Sequence, residues 1–161
     1  MNIRIGHGYD SHRFEGPGPL ILGSLDIPHE QGFSAHSDGD VVLHAVTDAV
    51  LGALAAGDIG EHFPDTDPAN KGQSSDAFLR HAMNLAAMRG FRVGNLDVTI
   101  LAEVPKLSPH KQPMAEAIAE LLCVDVSHVS IKAKTNERMG FVGRREGIAV
   151  MASVLMMGDV N

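Results

Sequence analysis

The chain reads as an α+β layer, a mixed four-stranded sheet with helices on one face plus a short hairpin. Three observations predict it. Apolar residues alternate with polar ones at the start of the chain and over residues 96–104 and 128–134, the period of half-buried strands. They recur at three and four over residues 38–56 and again from residue 74, the period of helices packed by one side. The elements follow the order β–(ββ)–α–α–β–α–β–β, which a layer of helices on one mixed sheet accommodates. A length of 161 residues predicts a single domain over 1–161.

The first strand covers residues 2–13, with Ile3 and Ile5 set against Asn2 and Arg4. If the strand stays extended, Asp10 and His12 share a face. Gly16-Pro17-Gly18-Pro19 is a loop, and residues 20–23 and 25–27 form a hairpin closed by Pro28. Ser37 with Asp40 three residues on reads as a capping box, so a helix begins near residue 38. Val42, Ala45, Val46, Ala49, Ala53 and Leu54 form its buried side, Gly57 ends it, and His44 lies about two turns inside. Residues 58–72, rich in Pro, Gly and Asp, make a long irregular loop of the kind that serves a function or stays disordered. Ser74 or Ser75 caps a second helix, which Gly90 ends. A strand over 96–104, a turn at 105–109 and a third helix to about residue 122 follow. After the strand at 128–134 comes a polar connection, residues 135–145. The last strand, 147–157, is apolar on both faces, as a central or interface strand would be.

Charge and composition narrow the function. Thirteen basic residues against twenty acidic ones, net −7, argue against nucleic acid or an anionic membrane as the main partner. Cys123 is alone, which excludes an internal disulfide and a thiolate metal cluster. The first residues turn polar at once and no apolar run is long enough to span a bilayer, so a cytoplasmic protein is expected.

Nine histidines are unusual for this length, and their neighbours carry chemistry. Asp10-x-His12 with His44 offers two imidazoles and a carboxylate, a three-ligand set that suits zinc and leaves a fourth position open. On spacing alone, a surface strand pair and a hydrogen-bonded helix histidine remain the alternative. Asp48, one turn after His44, either orients that ring or is a solvated helix acid. His36, at the start of the helix, sits where a phosphate would be attracted. Asp65 and Asp67 suit the hydroxyls of a polyol but equally suit turns. Lys106, Lys132 and Lys134 are either phosphate contacts or solvated charges. Residues 135–144 form either an anion cradle or an ordinary connection.

Taken together, Gly6-His7-Gly8-Tyr9-Asp10-Ser11-His12, Ala35-His36-Ser37-Asp38-Gly39-Asp40, Leu43-His44-Ala45, Gly57-Asp58-Ile59-Gly60, Phe63-Pro64-Asp65-Thr66-Asp67-Pro68, Pro105-Lys106 and Gly140-Phe141-Val142-Gly143-Arg144-x-Glu146-Gly147 resemble the 2-C-methyl-D-erythritol 2,4-cyclodiphosphate synthases. These pieces run in order along nearly the whole chain. The resemblance implies a lyase of the non-mevalonate isoprenoid pathway. It would convert 4-diphosphocytidyl-2-C-methyl-D-erythritol 2-phosphate to the 2,4-cyclodiphosphate and CMP. A metal-dependent phosphohydrolase and a non-catalytic isoprenoid-diphosphate-binding trimer are the alternatives.

The resemblance also implies roles. Asp10, His12 and His44 would hold one zinc-type cation per subunit, and Glu137 a second ion, Mg²⁺ or Mn²⁺, on the substrate diphosphate. His36 and Thr135 would be the catalytic pair. Ser37, Asp58, Ile59, Gly60, Phe63, Pro64, Asp65, Thr66 and Asp67 would surround the methylerythritol and its phosphates. Ala102, Pro105, Lys106, Leu107 and Ser108 would form the cytidine pocket, with Lys134, Asn136 and Glu137 beside the phosphates. Phe141 and Arg144 would face a central cavity. The family pattern is a homotrimer with its sheets facing the threefold axis and each active site between two subunits. Four positions depart from that pattern. Lys134 and Asn136 stand where threonines are common, Arg145 where glycine is common, and Tyr9 where phenylalanine is frequent.

Overall fold

The computed structural model describes residues 2–35, 37–64, 66 and 72–159. It is α+β, but its mixed sheet has five strands, not four. These are β1 (Asn2–Pro17), β4 (Gln31–Phe33), β5 (Phe91–Leu101), β6 (Val129–Lys134) and β7 (Gly147–Gly158), in the order β4-β1-β7-β5-β6. Only β5 and β6 run parallel. The expected hairpin is present as β2 (Leu20–Leu22) paired with β3 (Leu25–Ile27). The extra strand, β4, pairs antiparallel with the far end of β1, which runs four residues beyond its expected end. Three residues are too few for any periodicity to register, and the pairing depends on where β1 goes rather than on β4 itself.

The helices are α1 (Val41–Ala53), α2 (Ile59–His62), α3 (Ser75–Met88), α4 (Lys111–Leu122) and α5 (Gly140–Gly143). Helix α1 packs on β1 and β7, α3 on β5 and α4 on β6. Their common floor is one face of the sheet. Gly6 and Gly8 of β1 lie opposite Val154 and Ala152 of β7, and Leu96, Val98 and Ile100 of β5 continue that face to β6. These β5 and β7 side chains are buried in one apolar cluster with Val42, Ala45, Val46 and Ala49 of α1. As its pattern required, β7 is central, between β1 and β5. Among the described residues, no helix is long and apolar enough to cross a membrane.

Several boundaries differ from expectation for identifiable reasons. The cap of α1 is Asp40, not Ser37. Its carboxylate accepts from the N–H groups of Val42 and Leu43 and, beyond the helix, from those of Gly23 and Ser24 in the hairpin turn. Four donors explain how a fully buried carboxylate is tolerated here, although burial still pushes its pKa up. Asp40→Ala removes a helix cap and strands two hairpin N–H groups, and is expected to cost about 3 kcal/mol, measured by urea unfolding. Helix α1 ends at Ala53, before Gly57, because Ala55 already turns left-handed (φ 51°). The region expected to be an irregular loop contains α2, and the polar connection at 135–145 contains α5. Each is a single turn, too short to leave a period in the sequence. Strand β5 begins five residues earlier than expected and ends at Leu101.

Candidate metal centre and substrate site

Asp10 and His12 do share a face of β1, and it is the face under the helices. Gly6 and Gly8 precede them on that face. A Cβ at Gly8 would overlap the Ala45 carbonyl, and one at Gly6 the Ala49 carbonyl. Two glycines at alternate positions thus let α1 lie directly on the strand. With the helix seated so low and started at Val41, His44 falls in its first turn, not two turns inside. There it meets the two strand residues.

His44 Nδ1 lies 3.1 Å and His12 Nε2 3.2 Å from the same oxygen of Asp10. Ligand atoms of the three residues all fall within 4.8 Å of one another, and all three side chains are partly buried. The outer nitrogen of each ring fixes its tautomer. His12 Nδ1 is 3.0 Å from the Gly39 carbonyl, which can only accept, so Nδ1 carries the proton and Nε2 a lone pair. His44 Nε2 lies 2.9 Å from Ser75 Oγ and 3.1 Å from Ser37 Oγ. The Ser75 hydroxyl donates its own proton to Asp38, whose other oxygen accepts the Ser75 N–H at 3.0 Å. Ser75 Oγ is left to accept from His44 Nε2, and Nδ1 presents its lone pair to Asp10. Two lone pairs and a carboxylate therefore converge with no proton assigned between them. That donor set fits a divalent cation held by Asp10, His12 and His44.

That proton-free arrangement is the one a bound cation requires; in the metal-free chain the inner ring nitrogens instead share protons with the Asp10 carboxylate, and the crowding appears as displaced titration. Burial would raise Asp10, but the hydrogen bonds and charges of His12 and His44 outweigh it and hold the carboxyl well below its ordinary range. Burial would lower His12, but the Asp10 carboxylate outweighs it and raises the imidazole. The sequence marks Ser75 only as a candidate helix cap and carries no signal for its contact with His44. Ser75→Ala is expected to weaken zinc binding about 10–100-fold by freeing the His44 ring. A competition titration against a chelating indicator checks this, and unchanged affinity would reduce Ser75 to a helix-start residue.

Asp48 neither orients His44 nor faces solvent. It is half-buried and accepts the Ile59 N–H at 2.8 Å, while burial raises its pKa. It thereby anchors Asp58, Ile59 and Gly60, and Asp58 caps α2 by accepting from Glu61 N–H at 3.0 Å. Phe63 follows and packs on Phe78 of α3, 4.5 Å between ring centroids, with Phe78 5.9 Å from His44. Pro64 and Thr66 are exposed. His36, Asp65 and Asp67 lie outside the described residues.

A second group of candidate residues gathers at the ends of β5 and β6. Ala102 N–H donates to the Lys134 carbonyl, which ties the two strand ends together. Thr135 Oγ1 donates to Glu137 at 2.8 Å. Glu103, which sequence reasoning missed, accepts from the N–H groups of both Asn136 (2.9 Å) and Arg138 (3.1 Å). It moulds the turn in which Glu137 and Arg138 take positive φ. Nothing in the sequence marks an acid 33 residues away as the template for that turn. Pro105 is half-buried and Lys106 and Ser108 are exposed, but the Leu107 side chain belongs to the core. Lys132 is paired with Asp97 and is not a free phosphate contact. Phe141 on α5 and Arg144 just after it are exposed, with Arg144 donating to Glu146. Arg145 sits in left-handed backbone (φ 61°), the conformation that favours glycine there. Among the described residues, no hydrogen bond or ion pair joins this second group to Asp10, His12 and His44.

The model of the YgbB family matches residues 3–157. A 2-C-methyl-D-erythritol 2,4-cyclodiphosphate synthase of Proteus mirabilis is 59% identical over 98% of this chain and 98% of its own length. One of Shewanella loihica is 58% identical over 97% of each chain. Among solved structures, a Plasmodium falciparum IspF–CDP complex superimposes with a TM-score of 0.86 at 35% identity, covering 98% of this chain and 97% of that one. With a family model spanning nearly every residue, and a fold and donor set that agree with it, the chain belongs to the YgbB family, alongside these cyclodiphosphate synthases.

Proposed function

We propose that the chain catalyses the reaction for which its relatives are named. It would close 4-diphosphocytidyl-2-C-methyl-D-erythritol 2-phosphate to 2-C-methyl-D-erythritol 2,4-cyclodiphosphate with release of CMP, in the non-mevalonate route to isoprenoid precursors. The observation that carries the reading is the convergence of Asp10, His12 and His44, two imidazole lone pairs and a carboxylate aimed at one point. An oxygen of the 2-phosphate bonds to the β-phosphorus, the bond from that phosphorus to the CMP oxygen breaks, and its electron pair leaves with CMP. No protein nucleophile is required. The chain's work is to position two anions and offset their charge.

In this reading Asp10, His12 and His44 hold a zinc-type ion, and Glu137 contacts Mg²⁺ or Mn²⁺ on the diphosphate. Bound there, such ions polarise phosphoryl oxygens and lower the repulsion between the phosphates. His36 and Thr135 steady the transferred phosphoryl group, and Ser37 lies beside the metal site. Asp58, Ile59, Gly60, Phe63, Pro64, Asp65, Thr66 and Asp67 enclose the methylerythritol. Ala102, Pro105, Lys106, Leu107 and Ser108 receive the cytidine, Leu107 through its backbone, with Lys134 and Asn136 nearby. Thr135→Ala is expected to slow turnover about 10²-fold with metal content unchanged, checked by steady-state rates and metal analysis.

The reading includes a single domain, a cytoplasmic location and a homotrimer whose sheets face the threefold axis, with Phe141 and Arg144 toward the central cavity. Two observations support the trimer. The sheet face opposite the helices exposes Ile3 (54%), Ile5 (75%) and Tyr9 (50%) beside Met151, an apolar surface that a neighbouring copy would cover. Among the described residues, no hydrogen bond or ion pair joins the metal ligands to the Thr135–Glu137 group within one chain, as expected if each active site joins halves from two copies.

A phosphorus NMR time course tests the activity, using the cytidylylated 2-phosphate and Mg²⁺ with and without chelator. Two coupled ring-diphosphate signals appearing with CMP, and suppressed by chelator, are expected. Inorganic phosphate or an open-chain product would replace the reading with a hydrolase, and no turnover by metal-replete protein with a binding protein.

A further inference from the structure

Two histidines outside the Asp10–His12–His44 group face one another through ring nitrogens, and one of them is held from behind as His12 is, by a backbone carbonyl. His62 closes α2, and His81 stands in the middle of α3. His62 Nε2 is 2.8 Å from the Ala56 carbonyl. A carbonyl only accepts, so Nε2 carries the proton and His62 Nδ1 presents a lone pair. That lone pair points at His81 Nε2, 3.1 Å away. The rings are not stacked. Their centroids are 5.0 Å apart with planes inclined by 60°. Two nitrogens bound to one tetrahedral zinc at ordinary Zn–N lengths stand about 3.3 Å apart, close to the separation here. A ring nitrogen held by a backbone carbonyl while the other faces outward is also the usual support of a metal-bound histidine.

We propose that His62 and His81 form a second transition-metal site, one that takes a borderline divalent ion such as Zn²⁺ or Cu²⁺. Without metal, His81 Nε2–H donates to His62 Nδ1. On binding, that proton moves to His81 Nδ1 through solvent, both inner nitrogens bind the ion, and water completes the coordination. Neither histidine loses its neutral charge. The site is partly open, with His81 exposed and His62 half-buried, so the ion has a way in. Its consequence lies in what it links. His81 also packs edge-on against Phe63, 5.1 Å between centroids, and Phe63 lies on Phe78, which reaches His44. An ion between the histidines clamps α2 to α3 at the root of Phe63, on the outer end of an aromatic row that ends at the first metal site.

Zinc titration of the chelator-treated full chain against a competing coloured indicator tests this through metal count, independently of turnover. Two zinc ions per chain are expected, one tight and one weaker. His81→Gln and His62→Gln should each weaken the second at least tenfold and leave the first unchanged. Glutamine suits the exposed α3 position, and retention of the first zinc reports that the variant is folded. In nitrogen-resolved NMR of the histidine rings, the second equivalent of zinc should shift His62 Nδ1 and His81 Nε2. One zinc per wild-type chain, or a second zinc whose affinity neither substitution changes, would overturn the proposal.

Discussion

His44→Ala protein is expected to lose the tight zinc and about 10³-fold or more of its turnover while keeping its fold. The fold should survive because His44 is only partly buried and belongs to a polar cluster, not to the apolar core. The loss should be large because the other two ligands do not make a site by themselves. Asp10 and His12 lie two residues apart on one strand and contact one another through a single Asp10 oxygen, so removing His44 opens the whole helix side of the ion. Ser37, Ser75 and Asp38 would also lose the ring that organises them. Metal analysis, thermal unfolding and the phosphorus NMR assay check the three parts. Full turnover by metal-free mutant protein would remove the zinc role altogether.

Gly8→Val should do the reverse and damage fold and site together. The new Cβ would enter the Ala45 carbonyl and crowd the Ala49 N–H, both main-chain atoms of α1 that no rotamer change can move. The helix must then rise from β1, opening the core around Ala45 and Ala49 and carrying His44 away from Asp10. A cost of about 3 kcal/mol is expected, the upper end for overpacking. For a chain of this size that lowers the melting temperature by about 10 °C. Zinc affinity should fall with it. Ala45→Gly should not rescue the variant, because the obstruction is backbone. A Gly8→Val protein with wild-type melting temperature and zinc affinity would show that close seating of α1 is not what assembles the site.

The two variants mark where sequence reading ends. Asp10 and His12 could be placed on one strand face because side chains alternate with a period of two, which needs no partner to define it. The strands β6 and β7 and the helices α1, α3 and α4 were legible for the same reason, each long enough to repeat its own period. Periods say nothing about elements of one turn or three residues: β2 and β3 were marked only by their turn and by Pro28, and α2, α5 and β4, with no such signal, left no trace. Nor do they choose between candidate caps. Ser37 and Asp40 both suit the start of α1, and Asp40 holds the place because its carboxylate also satisfies Gly23 and Ser24 of a hairpin 16 and 17 residues away.

By itself, then, the sequence determined the fold class, the strand face that carries Asp10 and His12, and the motifs by which its family is recognised. Those follow from local geometry and side-chain chemistry. Only the tertiary structure decided that His44 meets Asp10 and His12, that Asp48 holds the start of α2 and not the His44 ring, that Ser75 supports His44 while Glu103 shapes the turn at Glu137, and that His62 meets His81. Each of these is a contact between elements far apart in the chain. Its existence depends on how closely two backbones approach, and no spacing along one of them encodes that distance.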